Sequence, residues 1–148
     1  MVSAKNYIFR LLKIRLYSEK EILEKLKKRK FAEDVTRQTI RYFKQLGLID
    51  DRQFAQKWIS ARLAKPTGPQ RIQLELKQKG IDPEILREEL TQATKNYSEK
   101  EMAEQLAKKR ALLYRDLEEM KKKQRIYRYL AYRGFNLEVI QQVLKEIV

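Results

Sequence analysis

The residues of this chain that could do chemistry are carboxylates and cations, because its 148 residues include no histidine and no cysteine. Asp50 and Asp51, in Gly47-Leu-Ile-Asp-Asp, are the only adjacent carboxylates that fall in a turn. A metal-dependent nuclease would need further acids converging on them from other helices. Helix capping explains the pair more simply. Asp50 with Gln53 three residues on makes a capping-box pattern, and both charges sit at the positive end of the following helix. There is no Gly-rich phosphate loop and no metal-ligand spacing. No catalytic residue, metal ligand or cofactor is therefore expected, and a helical hydrolase with a cryptic acidic site is only a remainder.

The cations are more informative. The densest run is Lys25-Leu-Lys-Lys-Arg-Lys30, contributing Lys25, Lys27, Lys28, Arg29 and Lys30, and Lys108-Lys109-Arg110 is a second. In Arg125-Ile-Tyr-Arg-Tyr-Leu-Ala-Tyr-Arg133, aromatics interleave with arginines, a composition suited to single-stranded nucleic acid. At helical spacing Ile126 and Leu130 point inward, Tyr127 and Tyr129 flank them, and Lys121, Arg125, Arg128 and Tyr132 form one outward stripe. Each set also reads as an ordinary solvated face, with Glu24 and Lys28 pairing one turn apart in the first. Trp58, four residues after Phe54, reads as core rather than as a stacking platform.

Net charge is +14, unevenly spread. Residues 1–46 hold 13 basic against 5 acidic side chains, residues 47–98 hold 9 against 7, and residues 99–148 hold 12 against 8. Such a surplus favours polyanions or acidic protein surfaces, through attraction that salt weakens. If such a partner exists, its contacts fall on the basic sets above, through several weak pairs.

Helices must position these groups. Apolar content of 43% with only four glycines and three prolines argues for an all-α chain. Gly47 suits the left-handed position that ends one helix, where Leu48 folds back on Phe43, and Thr67-Gly68-Pro69 starts another that Gly80 ends. Five starts share a hydrophobic staple around a capping residue. The pairs are Tyr17 and Ile22 around Ser18, Ile49 and Phe54 around Asp50, Ile81 and Leu86 around Asp82, Tyr97 and Met102 around Ser98, and Phe135 and Ile140 around Asn136.

Superposing Ile22, Ile72 and Ile126 aligns Leu26, Leu76 and Leu130, then Lys30, Gly80 and Gly134, then Phe31, Ile81 and Phe135. Three helix-turn-helix pairs thus recur about 50 residues apart. Each follows a helix of its own, near 7–16, 51–65 and 99–120. The last carries a stripe of Met102, Leu106, Leu113, Leu117 and Met120. Three three-helix repeats result, over 1–48, 49–96 and 97–148, and serial units of this kind imply an elongated, gently curved body. In the first repeat Lys30 replaces the glycine and Ala32 the capping side chain, so its inner turn is expected to be built differently or strained. The chain has no run of about 18 apolar residues and its N-terminus lacks the apolar core of a secretion signal, so neither membrane insertion nor export is expected, and zero cysteines fits a cytosol.

Gly47-Leu-Ile-Asp-Asp, followed by Phe54-Ala55, Trp58, Arg62, Gly68, Ile72, Leu76 and Lys79-Gly80-Ile81, closely resembles the signature of the RecX family, regulators of the recombinase RecA. Upstream, Leu11-Leu12 through Tyr17-Ser18-Glu-Lys-Glu21 and Leu26 resembles the family's opening repeat, and downstream Arg125 to Arg133-Gly134-Phe135 resembles its last. The resemblance carries over Gly47, Ile49, Asp50, Asp51, Phe54, Ala55, Trp58, Arg62, Gly68, Ile72, Leu76, Gly80 and Gly134 as scaffold. It implies nine helices in a cytoplasmic bacterial modulator with no catalytic residue and no cofactor. Its partner would be the RecA filament on single-stranded DNA, whose growth, ATP hydrolysis and strand exchange it would inhibit in DNA repair and the SOS response. A monomer is expected. The alternative is a basic helix-turn-helix module acting directly on DNA, although no helix gathers Arg, Asn and Gln on one N-terminal face for base reading. Weak, salt-sensitive DNA binding is expected under either reading.

Overall fold

Side-chain caps turn the pattern of polar residues before apolar runs into helix starts. The computed structural model describes residues 2–147. In it Ser18 Oγ accepts the Glu21 N–H at 3.2 Å while Glu21 Oε1 accepts the Ser18 N–H at 3.0 Å, a reciprocal capping box. Asp50 accepts from Arg52 and Gln53 at 3.0 and 3.2 Å, Asp82 from Glu84 at 2.9 Å, Ser98 from Glu101 at 3.2 Å and Asn136 from Glu138 at 2.8 Å. Ser3 adds a cap that the sequence reading missed, accepting from Asn6 at 3.1 Å, so the first helix starts at Ala4 rather than near residue 7. Ala32 offers no side-chain cap.

Nine helices are present among the described residues, and no strand. They are α1 Ala4–Ile14, α2 Glu19–Lys28, α3 Glu33–Gln45, α4 Asp51–Leu63, α5 Pro69–Gln78, α6 Pro83–Ala93, α7 Glu99–Leu113, α8 Glu119–Tyr132 and α9 Leu137–Ile147. The chain is an all-α tandem of three-helix repeats. α7 corrects the expectation of one helix over 99–120: it ends at Leu113, and Met120 belongs to α8. Leu113 and Met120 are 70% and 65% exposed, so the apolar stripe does not continue. What α7 buries is Leu106 between two alanines, Ala103 and Ala107, whose small side chains admit close packing, with Tyr114 half-buried at its C-cap.

The helix ends explain the glycines. After α2, α3, α5 and α8 the backbone closes with the paired bonds of a Schellman motif. The second-residue N–H groups of Phe31, Leu48, Ile81 and Phe135 reach back to the carbonyls of Leu26, Phe43, Leu76 and Leu130 at 3.2, 2.9, 3.1 and 3.1 Å. The residue between must be left-handed, and Gly47, Gly80 and Gly134 take φ of +73, +78 and +90°. Lys30 takes φ of +63° at the matching place and is the one non-glycine with positive φ among the described residues. The first repeat therefore keeps the turn geometry and accepts strain.

The chain forms two compact units. One comprises the stretch up to Trp58 with Leu76–Glu89, the other Ile59–Glu75 with the stretch from Leu90. In the first, Ile8, Ile22, Leu26, Phe43 and Ile49 form the buried cluster of α1 to α3, flanked by Tyr7, Phe31 and Ile40. In the second, Ala107, Ile126, Leu130, Phe135, Ile140 and Val143 bring α7 to α9 together. Burying each such aliphatic side chain favours folding by about 1.5–3 kcal/mol over leaving it exposed. The repeat superposition thus coincides with core positions.

Candidate functional site

The first basic set ends α2, where cations complement the negative end of the helix dipole. Lys27, Lys28, Arg29 and Lys30 are exposed and Lys25 is half-buried. Arg29 lies over the Tyr7 ring at 4.2 Å, which ties it to α1. Lys27, Lys28 and Lys30 make no ion pair among the described residues, and the Glu24–Lys28 pair does not form. An exposed pair of this kind would add little to stability. α3 contributes cations that the sequence reading passed over: Arg37, Arg41 and Lys44 share one face at helical spacing, without forming a run. A helical wheel of residues 33–45 would have found them.

In the second unit Lys108 and Lys109 are exposed, but Arg110 is drawn inward, its guanidinium 3.8 Å from the Tyr129 ring centre. Arg133 approaches the same ring at 5.4 Å, and Arg125 lies 5.6 Å from Tyr114. Arg110 is thus a packing residue between α7 and α8. Lys121, Arg125, Arg128 and Tyr132 are all exposed along α8, as the wheel placed them, over the buried Ile126 and Leu130. Tyr132 is 71% exposed, with the Arg71 guanidinium 4.5 Å from its ring and donating to its carbonyl. The structure thus gathers the four α8 residues in one row and separates Arg110 from its two lysine neighbours. The α2 and α8 sets belong to different units.

The signature residues are joints. Ile49, Phe54, Ala55, Ile72 and Leu76 are buried. Trp58 is half-buried rather than fully enclosed, stacked on Phe54 at 5.7 Å with Lys79 Nζ 5.3 Å from its ring. Asp50 caps its own helix, whereas Asp51 Oδ1 accepts the Glu19 N–H at 2.9 Å and so caps the start of α2, 32 residues earlier. Burial pushes the Asp51 carboxyl up, against the lowering effect of that hydrogen bond. Ser18 Oγ donates to the Lys79 carbonyl at 2.7 Å, and Lys79 Nζ reaches Glu21 Oε2 at 2.8 Å. Burial works to raise the Glu21 carboxyl, but hydrogen bonds from Lys79, Arg15 and the Ser18 N–H hold it below the usual glutamate value. In the second unit Arg62 grips Glu75 with two bonds of 2.9 and 2.8 Å, the fork geometry that strengthens an arginine–carboxylate contact.

Gly80 lies against the Lys20 side chain and Gly68 against the Gly134 backbone. Each of these glycines answers a steric demand. Among the described residues no group of three or more His, Cys, Asp or Glu could hold a metal ion, and no helix is long and apolar enough to cross a membrane. The arrangement offers exposed cations on helices.

Comparison with known proteins gives one answer along the whole chain. Three family models match in order: the first three-helix domain of RecX over residues 4–43, the second over 50–90 and the third over 98–144. The chain is 37% identical over 139 residues to Regulatory protein RecX of Chlorobium phaeobacteroides (strain BS1), covering 93% of this chain and 89% of that one. It is 33% identical over 150 residues to Regulatory protein RecX of Legionella pneumophila (strain Corby), covering 99% and 96%. The crystal structure of RecX from Lactobacillus salivarius superposes with a TM-score of 0.80 at 26% identity, over 97% of this chain and 94% of that one.

Proposed function

The chain belongs to the RecX family, and on that premise we propose that it regulates RecA by binding RecA filaments on single-stranded DNA and mainly inhibiting their recombinase and ATPase activities. The observation that carries this reading is the match to all three RecX domains in order, one to each three-helix repeat. The regulator acts without catalysis or cofactor, as a monomer in the cytoplasm, during DNA repair and the SOS response. Its repeats divide at 48/49 and 96/97. The exposed cations of α2, of Lys108 and Lys109 and of α8 supply its contacts. Many dispersed charges favour attraction to acidic protein surface and exposed phosphates alike, with salt weakening both.

The α8 row favours a second reading, because three cations and an exposed tyrosine on one face can follow a single strand and stack on its bases. In that reading the chain is a basic helix-turn-helix module acting on DNA without RecA. Equilibrium binding separates the two. A regulator of filaments binds RecA-coated single strands at least about tenfold more tightly than bare strands at the same salt, a difference of about 1.4 kcal/mol. Equal affinity for both would leave only the DNA module.

A further inference from the structure

In the first unit a groove of about 780 Å³ opens between α2 and α3. Half-buried Leu23 and Ile40 contribute apolar surface to it. Lys20 borders it from α2, and Arg37, Arg41 and Lys44 border it from α3. Gly80 forms part of the wall, and a side chain there would lie 2.7 Å from Lys20 Cβ, so the glycine keeps Lys20 in place. Two of the four cations are already engaged. Lys44 pairs with Glu19 at 2.9 Å, and Lys20 Nζ donates to the Gln78 carbonyl at 3.2 Å. Arg37 and Arg41 are exposed and make no hydrogen bond or ion pair among the described residues. Four residues apart on α3, they stand one turn from each other on the same face.

The chemistry of this lining selects its occupant. Guanidinium groups match carboxylates and phosphates equally well as forks. A single nucleic-acid strand, however, gains its non-ionic affinity by stacking bases on aromatic rings, and no residue lining this groove is aromatic. Apolar surface between two cations instead suits a chain that alternates apolar and acidic side chains. We propose that the groove is a docking site for an acidic, amphipathic peptide segment of a protein partner. Arg37 and Arg41 fork its carboxylates, and Leu23 and Ile40 receive the apolar side chain between them. The inference holds for any partner of this chemistry and does not rest on RecA being that partner.

The test uses the full chain and three labelled probes: a short peptide with Glu and Leu at helical spacing, a polyglutamate of equal charge, and an oligothymidine. Wild-type protein is expected to prefer the Glu-Leu peptide to polyglutamate. Arg37→Glu combined with Arg41→Glu changes only exposed side chains, and is expected to weaken peptide binding at least about tenfold. Leu23→Ala and Ile40→Ala are each expected to weaken it about fivefold while leaving oligothymidine binding unchanged, with circular dichroism verifying the fold. A wild-type protein without preference for the Glu-Leu peptide overturns the proposal. So do groove variants that bind it as wild type does, or apolar variants that lose oligothymidine and peptide equally.

Discussion

A methyl group on Gly68 would lie 2.3 Å from the carbonyl carbon and oxygen of Gly134, so the start of α5 and the turn after α8 meet backbone to backbone. The Gly68 N–H donates to the Arg133 carbonyl at 2.7 Å, and the Gln70 N–H to the Gly134 carbonyl at 3.2 Å. Neither side of this crossing has a flexible group that could give way. Gly68→Ala is expected to destabilise by about 1–3 kcal/mol through overpacking. At Gly47 nothing lies within 4 Å, and only its φ of +73° opposes a side chain. Gly47→Ala should therefore cost about 1 kcal/mol. Urea unfolding of both variants checks the ranking, and a smaller loss at Gly68 would refute the crossing as a constraint.

Lys30 holds a left-handed conformation that its counterparts assign to glycine. Lys30→Gly should raise stability by about 1 kcal/mol by relieving the Cβ contact. The same change removes one exposed cation, so the salt dependence of binding to a polyanion should become shallower. Thermal unfolding and a salt titration with oligothymidine read the two effects separately.

Glu21 makes the start of α2 sensitive to acid. Its carboxyl is held below the usual value in the folded chain, so its stabilising effect is fully present above the unfolded value of about 4.3 and is lost as pH falls through the lower folded value. Asp51, pushed up by burial, has the opposite sign and weakens folding as pH rises through its titration. Glu21→Gln is thus expected to lower stability at neutral pH and to flatten the acid limb below about pH 4. Stability measured from pH 3 to 7 should show the mutant and wild-type curves converging at the acid end, and parallel curves would contradict this.

Arg110 and Lys109 adjoin in sequence but differ in role. Arg110 packs on Tyr129 at 3.8 Å, and Arg110→Gln should cost about 1–2 kcal/mol of stability. Lys109→Gln should stay within about 0.5 kcal/mol of wild type and act only on binding. Denaturation midpoints of the two variants decide this, since equal midpoints would remove the packing role.

Local chemistry made most of the helices legible. Ser18, Asp50, Asp82, Ser98 and Asn136 announce their starts because the cap bond and the staple each reach only a few residues. Gly47, Gly80 and Gly134 announce their ends because only a left-handed residue closes a Schellman turn. The end of α7 was not legible, since 112–120 holds no Gly or Pro to mark it; its C-cap, Tyr114, is half-buried against the core of α7 to α9. Long-range service was also hidden. Asp51 reads as a cap for its own helix and instead accepts the Glu19 N–H. Of the basic sets, the α8 row follows from periodicity, whereas Arg37, Arg41 and Lys44 on α3 are spaced too far apart in sequence to form a run.

Regulation of a filament is tested most directly by RecA's ATP hydrolysis on excess single-stranded DNA. This protein is titrated in from far below the RecA concentration. A filament regulator is expected to inhibit at substoichiometric amounts, because a competitor for DNA in excess cannot act at such levels. Full ATP hydrolysis until the protein coats the DNA would contradict it.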